Sequence, residues 1–484
     1  MNRKTKTDAI FNLIYQLMVI FIPLVTTPYL SRVLGVDNIG IQSYTLSIVS
    51  YFTLFAAFGL NDYGQREIAR IQDDKNKVSK LFLEMIVNRF ITTFMVLILY
   101  MVMVFTTLEA NYKIYYLIMV MNVVAIAFDI TWFFQGIEKF KSLAIRNMLI
   151  KLISMLFIFI FVKSTNDLWI YVLINSLSLI LSSISMWFLI PKNVNMVKIS
   201  FKDVLKHYKG TLVYFIPTIA IQIYTVLDKT MINWITGSTL ENGVYEQAEK
   251  LVKVSLTIIQ FMNTIMRSRM TYLFEYKHLD EAKKICDQSL EFLSILIFPA
   301  TAGIILIAPN LIPLYLGEGY EKSIILLQMF SFLVIFIGYS GFIASHYMTP
   351  IGKQKQSNIA LIIGSIINVV LNLFLIKPYG AIGATIASVF AEFIIALIYM
   401  YNAKGFIKYT KYLTISYKKM IAAIIMFLVT FFTTKYMALS DFLMILVKVS
   451  IAVGTYFVVL LILHDNFIIS YIRKLSNVLK ALSK

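Results

Sequence analysis

Charge is scarce in this sequence of 484 residues: 14% are Asp, Glu, Lys or Arg, whereas 59% are hydrophobic. A soluble domain usually carries about 25% charged residues. This composition cannot cover a water-facing surface, so lipid must solvate much of the chain. Cysteine is almost missing. The single Cys286 excludes an internal disulfide and a cysteine-based metal site. The four histidines, His207, His278, His346 and His464, are scattered and lack the spacing of a metal cluster. No Walker A loop, HExxH or GxSxG run occurs. The chain is therefore expected to be no enzyme and to need no cofactor. Acidic residues are the scarcer sign, 26 against 44 basic ones, for a net charge of +18. Such an excess suits nucleic acid or a membrane surface, and its placement decides between them.

Long apolar runs are what the sequence does have. A bilayer core takes about 20 apolar residues per helix. Fourteen segments qualify: 10–34, 39–61, 80–105, 112–135, 143–163, 167–190, 210–236, 244–266, 288–308, 322–348, 357–376, 381–402, 417–438 and 440–463. The first is too long for a signal-peptide core of about 7–15 residues and reads as a retained membrane helix. The fold class is thus all-α, a polytopic membrane protein.

The basic residues lie mainly in alternate loops. Arg66, Arg70, Lys75 and Lys77 share one, and Lys192, Lys198, Lys202 and Lys206 another. Lys404, Lys408, Lys411, Lys418 and Lys419 cluster near a third. Only isolated lysines such as Lys113, Lys163, Lys322, Lys377 and Lys435 occupy the other side. By the positive-inside rule both termini are cytoplasmic. Topology then accounts for the +18 charge, and nucleic-acid binding is not needed. The tail repeats Ile468, Ile472, Leu475, Leu479 and Leu482 against Arg473, Lys474, Lys480 and Lys484, the pattern of an amphipathic helix at the membrane surface.

The sequence echoes itself faintly. Phe21-Ile22-Pro23 matches Phe215-Ile216-Pro217, and Gly40 before Tyr44 parallels Gly243 before Tyr245. Two pseudo-symmetric six-helix lobes are expected, 1–200 and 201–405. A helix pair at 406–465 and the cytoplasmic tail at 466–484 follow. Repeated halves of this kind are common in carriers.

A charge at mid-bilayer costs about 2.5–3.5 kcal/mol on insertion scales. The segments nevertheless hold Arg32, Arg89, Asp129, Lys151, Asp228, Lys229, Glu246, Glu249, Lys250, Lys253, Glu392 and Lys448. Glu246 with Lys250 and Glu249 with Lys253 are four apart, so each pair can neutralise itself on one helix. Arg32 and Lys229 have no opposite charge three or four residues away. Snorkelling to the interface is the competing structural role for such cations. If they face a cavity instead, Arg32, Arg89, Lys151, Lys229, Lys250 and Lys253 suit an anionic ligand, above all a phosphate. Asp129, Asp228 and Glu392 are the candidates for ion coupling. Pro23, Pro28 and Pro217 interrupt helical hydrogen bonds and are candidate gating bends, or static kinks.

Several phrases occur in a fixed order. They are Pro28-Tyr29-Leu30-Ser31-Arg32-Val33-Leu34-Gly35, Gly59-Leu60-Asn61-Asp62-Tyr63-Gly64-Gln65-Arg66-Glu67-Ile68-Ala69, Phe133-Phe134-Gln135-Gly136-Ile137-Glu138, Leu227-Asp228-Lys229, Asn368-Val369-Val370-Leu371-Asn372 and Gly380-Ala381-Ile382-Gly383-Ala384-Thr385. Together they resemble the polysaccharide-repeat flippases (O-antigen and capsule, Wzx-type) of the multidrug/oligosaccharidyl-lipid/polysaccharide exporter superfamily. The resemblance runs from about residue 8 to 400. It implies fourteen helices in two lobes around a basic central cavity, in a bacterial cytoplasmic membrane. It also implies that an undecaprenyl-diphosphate-linked oligosaccharide is turned to the outer leaflet. Membrane lipids, a polysaccharide polymerase and glycosyltransferases are the implied partners. A cation-coupled multidrug exporter and a lipid II flippase of the same superfamily are the alternatives.

Overall fold

A computed structural model describes the chain except residues 1–2, 107–109, 191–193, 466 and 471–484. Among the described residues every regular element is helical. That is the backbone's only open-ended way of satisfying its own hydrogen bonds in lipid. The chain divides into two compact units, Met1–Gly243 and Val244–Lys484.

The first unit holds α1 (Arg3–Ala57), α2 (Leu60–Ile71), α3 (Lys75–Thr106), α4 (Ala110–Phe128), α5 (Thr131–Gly136), α6 (Phe140–Phe161), α7 (Leu168–Ser185) and α8 (Phe201–Thr236). It also holds the first turn of α9 (Thr239–Glu275). α1 is two arms, because Gly35 sits at φ 77° and ψ 169°, where a side chain is strained. The expected segments 10–34 and 39–61 are these two arms. An apolar cluster including Leu30, Leu34, Val49, Tyr100, Val123 and Val172 joins α1, α3, α4 and α7. A second, aromatic cluster packs Phe82, Trp132, Phe133 and Phe134 with Leu60 and Ile68 of α2.

The second unit holds the rest of α9, then α10 (Leu279–Leu316), α11 (Glu321–Phe330), α12 (Phe332–Ile343) and a π-turn at Ala344–Met348. After it come α13 (Gln354–Tyr379), α14 (Ala381–Ala403), α15 (Tyr409–Thr434) and α16 (Asp441–Ile462). The hairpin of α15 and α16 packs on α10.

Among the described residues, eleven helical stretches are long and apolar enough to cross a membrane, and the first, Phe21–Ile71, runs through the Gly35 bend and so takes in part of the first arm of α1 and all of the second. The expected segments 210–236 and 244–266 fall on α8 and α9, which carry Asp228, Lys229 and the two ion pairs Glu246–Lys250 and Glu249–Lys253. α8 has 36 residues. At 1.5 Å per residue that is about 54 Å, well beyond a core of about 30 Å. Large apolar side chains such as Phe94, Leu99 and Phe105 are exposed, as lipid-facing residues are. Lys192 and the expected tail helix beyond Ser470 lie outside the described residues. Ile468, just before them, is buried against α15 and α16.

Candidate functional site

In the first unit, a polar seam joins the second arm of α1 to α8. Trp234 Nε1 donates to the Tyr44 hydroxyl at 3.1 Å. The Thr230 hydroxyl lies 2.9 Å from that of Ser47 and 3.0 Å from that of Tyr51. Asp228, almost fully buried, sits within electrostatic reach of Tyr51. The Lys229 carbonyl accepts from Asn242 at 2.8 Å, tying α8 to α9. At the end of this seam the two glycines of the sequence echo meet. A Cβ on Gly40 would stand 1.8 Å from the Thr239 carbonyl oxygen and 3.0 Å from the Gly243 nitrogen, so only glycine allows this approach. Arg32 is exposed in the first arm of α1, one turn before the Gly35 bend.

Arg89 is the deepest cation. It projects from α3 and is fully buried. Its Nη2 donates to Asn61 Oδ1 at 2.5 Å, and its Nη1 points to the Ile126 carbonyl at 3.5 Å. Asp129 lies within its electrostatic reach. Asp129 ends α4: its Oδ1 accepts from the Thr131 amide at 2.9 Å and from the Thr131 hydroxyl, which starts α5. A carboxylate that accepts from the amide two residues on is a local turn device. The same carboxylate lines a cavity of about 390 Å³ with Ser50, Thr53, Asn122, Ser182 and Ser183. Lys151 is half-buried in α6. Pro23 and Pro28 lie inside the first arm of α1, and Pro217 inside α8.

In the second unit, α9 carries its two ion pairs as spaced. Lys253 Nζ is 2.6 Å from Glu249, and Lys250 Nζ is 4.0 Å from Glu246. Beside them Tyr245 approaches Ser388 at 3.3 Å. Asn368 donates to that same Ser388 at 3.3 Å, and Asn372 donates to Asn368 at 3.2 Å. Glu392 is buried one turn further along α14, within electrostatic reach of Tyr399. Lys448 Nζ donates to the Leu306 carbonyl at 2.9 Å and to Asn310 at 2.7 Å, so it clamps α16 to α10.

Residues 6–266 match the profile of a family described as polysaccharide biosynthesis protein, more than half of the sequence. The chain belongs to that family. Among relatives of this polysaccharide biosynthesis protein, a putative O-antigen transporter of Shigella dysenteriae is 25% identical over 377 residues, 78% of this chain and 94% of that one. A putative O-antigen transporter of Escherichia coli (strain K12) is 26% identical over 378 residues, 77% of this chain and 90% of that one. Among solved structures, lipid II flippase MurJ in an inward closed conformation superposes with a TM-score of 0.73 at 18% identity, over 95% of this chain and 100% of that one. An inward-facing multidrug resistance MATE transporter of the MOP superfamily gives 0.60 at 15% identity, over 80% and 98%. The fold is therefore that of polytopic helical transporters.

The matched region of this polysaccharide biosynthesis protein contains the first four ordered phrases, from Pro28 to Lys229. Of the expected site residues, the structure brings Arg89 and Asp129 near each other and seats Asp228 in the α1–α8 seam. Lys250, Lys253 and Glu392 belong to the second unit. Sequence reasoning passed over three sets of residues. Asn61, which holds Arg89, sits in a quoted phrase but was assigned no part. Glu84 and His207 form a pair at 2.9 Å, 123 positions apart. Lys419 counts with the loop lysines, yet it is buried in α15 and paired with buried Asp465 at 2.8 Å. The only signal for Glu84 was Lys80, four residues earlier, which lies 3.6 Å away.

Proposed function

We propose that this protein is a flippase for polysaccharide assembly, not an enzyme. It moves undecaprenyl-diphosphate-linked oligosaccharide repeat units from the cytoplasmic to the outer leaflet of a bacterial cytoplasmic membrane, with both termini cytoplasmic. The observation that carries this reading is the match to two O-antigen transporters over 94% and 90% of their lengths, within a family named for polysaccharide biosynthesis. The charges support it. A diphosphate needs fixed cations in a medium that screens them poorly. Arg32, Lys151 and Lys229 stand in membrane helices of the first unit. Lys250 and Lys253 are held by Glu246 and Glu249, so they reach a phosphate only by exchanging partners. Arg89 is already bound to Asn61 and orients the site rather than reaching out. Asp129, Asp228 and Glu392 are the candidates for coupling cargo movement to an ion gradient. Pro23, Pro28 and Pro217 are the bends at which helices swing. Glycosyltransferases that build the repeat unit and the polymerase that consumes it are the natural partners.

The test is complementation of a strain lacking its own O-antigen or capsule transporter. The wild-type chain restores surface glycan. Arg32→Ala and Lys229→Ala each reduce it about tenfold or more, the factor for one lost charged contact. Full surface glycan in both variants at normal expression removes these residues from the mechanism. Rescue of a lipid II flippase mutant, or lowered drug accumulation in an efflux-deficient host, reassigns the cargo.

A further inference from the structure

Most of the phrase Gly59 to Ala69 is not among the residues proposed to hold a diphosphate, yet Tyr63, Arg66 and Glu67 find side-chain partners within the first unit. Gly59 is left-handed at φ 67°. A Cβ there would lie 2.5 Å from the Thr211 carbonyl and 2.6 Å from the Phe215 nitrogen of α8. A Cβ on Gly210 of α8 would lie 2.4 Å from the Tyr63 ring. The backbone of α8 and the turn between α1 and α2 therefore come into direct contact, with the Phe58 ring packed on Phe215 and Tyr208 beside it. Polar bonds flank this contact. The Tyr63 hydroxyl is 3.1 Å from His207 Nδ1, and Arg66 donates to the Tyr214 hydroxyl. On the far side of His207, its Nε2 lies 2.9 Å from Glu84 of α3. A carboxylate only accepts, so Nε2 carries a proton. Nδ1 can then accept from Tyr63 or donate to it, and the bond survives either charge state of the ring. Lys80 completes the chain, 3.6 Å from Glu84 and 3.1 Å from Asp203 in the first turn of α8.

Glu84 is 5% exposed. A carboxylate that deep is costly once its partner is removed. The same groups find good partners in water when a gap opens. Polar contacts, a backbone touch and a few rings part and re-form more cheaply than an interlocked apolar core. A glycine in the left-handed region next to the contact is suited to absorb a change of angle.

We propose that the His207–Glu84–Tyr63 cluster is a release latch. It holds the first half of α8 against the α1–α2 turn, on the face that the loop lysines mark as cytoplasmic, and it opens in each transport cycle. This inference rests on the transport reading of the protein. It assigns the Gly59–Ala69 phrase to gating rather than to cargo recognition.

Thr211 supplies the probe, because it is fully buried under Gly59. Thr211→Cys is made in a Cys286→Ser background, and its labelling by an impermeant maleimide is timed in inside-out vesicles. Glu84→Gln is expected to speed labelling about tenfold, the factor for a lost charge-assisted hydrogen bond. The exchange Glu84→His with His207→Glu returns it to the slow rate. A Glu84→Gln rate equal to the parent's overturns the latch, and so does an exchange variant that labels as fast as Glu84→Gln. If Glu84→Gln is not recovered from membranes, Tyr63→Phe replaces it, with about threefold faster labelling expected for a neutral bond and a parental rate again overturning the latch. Labelling does not depend on cargo. Failure of the flippase reading appears in the surface-glycan assay and leaves these rates unchanged.

Discussion

Arg89 is a cation that neither lipid nor water reaches. Its guanidinium spreads donors in a fixed fork, one arm to Asn61 and one toward the Ile126 carbonyl. A lysine offers no second arm, so Lys is a poor substitute here. Asp129 answers its charge while also bonding Thr131 at the joint between α4 and α5. Arg89→Met removes the bonds to Asn61 and the Ile126 carbonyl and leaves half-buried Asp129 without this cation, at a cost of about 1–3 kcal/mol. Arg89→Met is therefore expected to lower the unfolding temperature of the purified protein clearly. Arg89→Met with Asp129→Asn is expected to lower it less than the sum of the two single changes, because the asparagine keeps the turn and drops the charge. Strict additivity shows that the two side chains do not act as a pair. Surface-glycan complementation with Arg89→Met is expected to fall with the loss of folded protein, which a normalised immunoblot separates from loss of transport.

At the scale of the element, α8 shows what the sequence reveals and what it hides. Its helix is legible, since the apolar run 210–236 has the length that lipid demands and falls within α8. The α9 pairs are legible for a similar local reason: a spacing of four fixes which side chains meet on one helix. The first turns of α8 read as a basic loop, with Lys198, Lys202 and Lys206 as topology markers. In the structure Asp203 gathers Lys206 at 2.5 Å and Lys80 of α3 at 3.1 Å. Lys80 and Asp203 are far apart in sequence, and no periodicity links them. Glu84 with His207 and Lys419 with Asp465 were hidden for the same reason.

These lysines hold the Asp203 carboxyl below its usual range, Lys206 first and Lys80 second. A carboxylate whose folded pKa is depressed adds stability above its unfolded value of about 3.9, and that stability is lost as pH falls through the folded value. Asp203 is half-buried at the surface and still reached by water, so the contribution is small and screened by salt. The expected result is a lower unfolding temperature for Asp203→Asn than for wild type at pH 7 and low salt. The gap should narrow as pH drops below about 4 and also at high salt. A gap that is unchanged at acid pH assigns the effect to something other than the charge.

Across the whole chain, the proposed orientation is testable by counting crossings. Three helical passages separate Lys77 from Lys163: α3, then α4 with α5 in line, then α6. Seven separate Lys163 from Lys408, provided that α8 and α9 each cross and that α11 and α12 cross together. One more, α15, leads to Tyr436. Every one of these numbers is odd, so the four sites must alternate sides. The proposed orientation puts the basic loops on the cytoplasmic side, where lysine-rich and arginine-rich loops are usually retained. Cysteines placed one at a time in a Cys286→Ser background test this directly, and all four positions are exposed. Lys163→Cys and Tyr436→Cys are expected to react with an impermeant maleimide added from outside. Lys77→Cys and Lys408→Cys should react only in inside-out vesicles. The pattern is sensitive to the least apolar helices. If α8 failed to cross, Lys163 and Lys408 would label from the same side, and the charged seam of Asp228 and Lys229 would not lie in the membrane at all. Alternation at all four sites therefore tests the orientation and the membrane placement of the proposed cargo residues in one experiment.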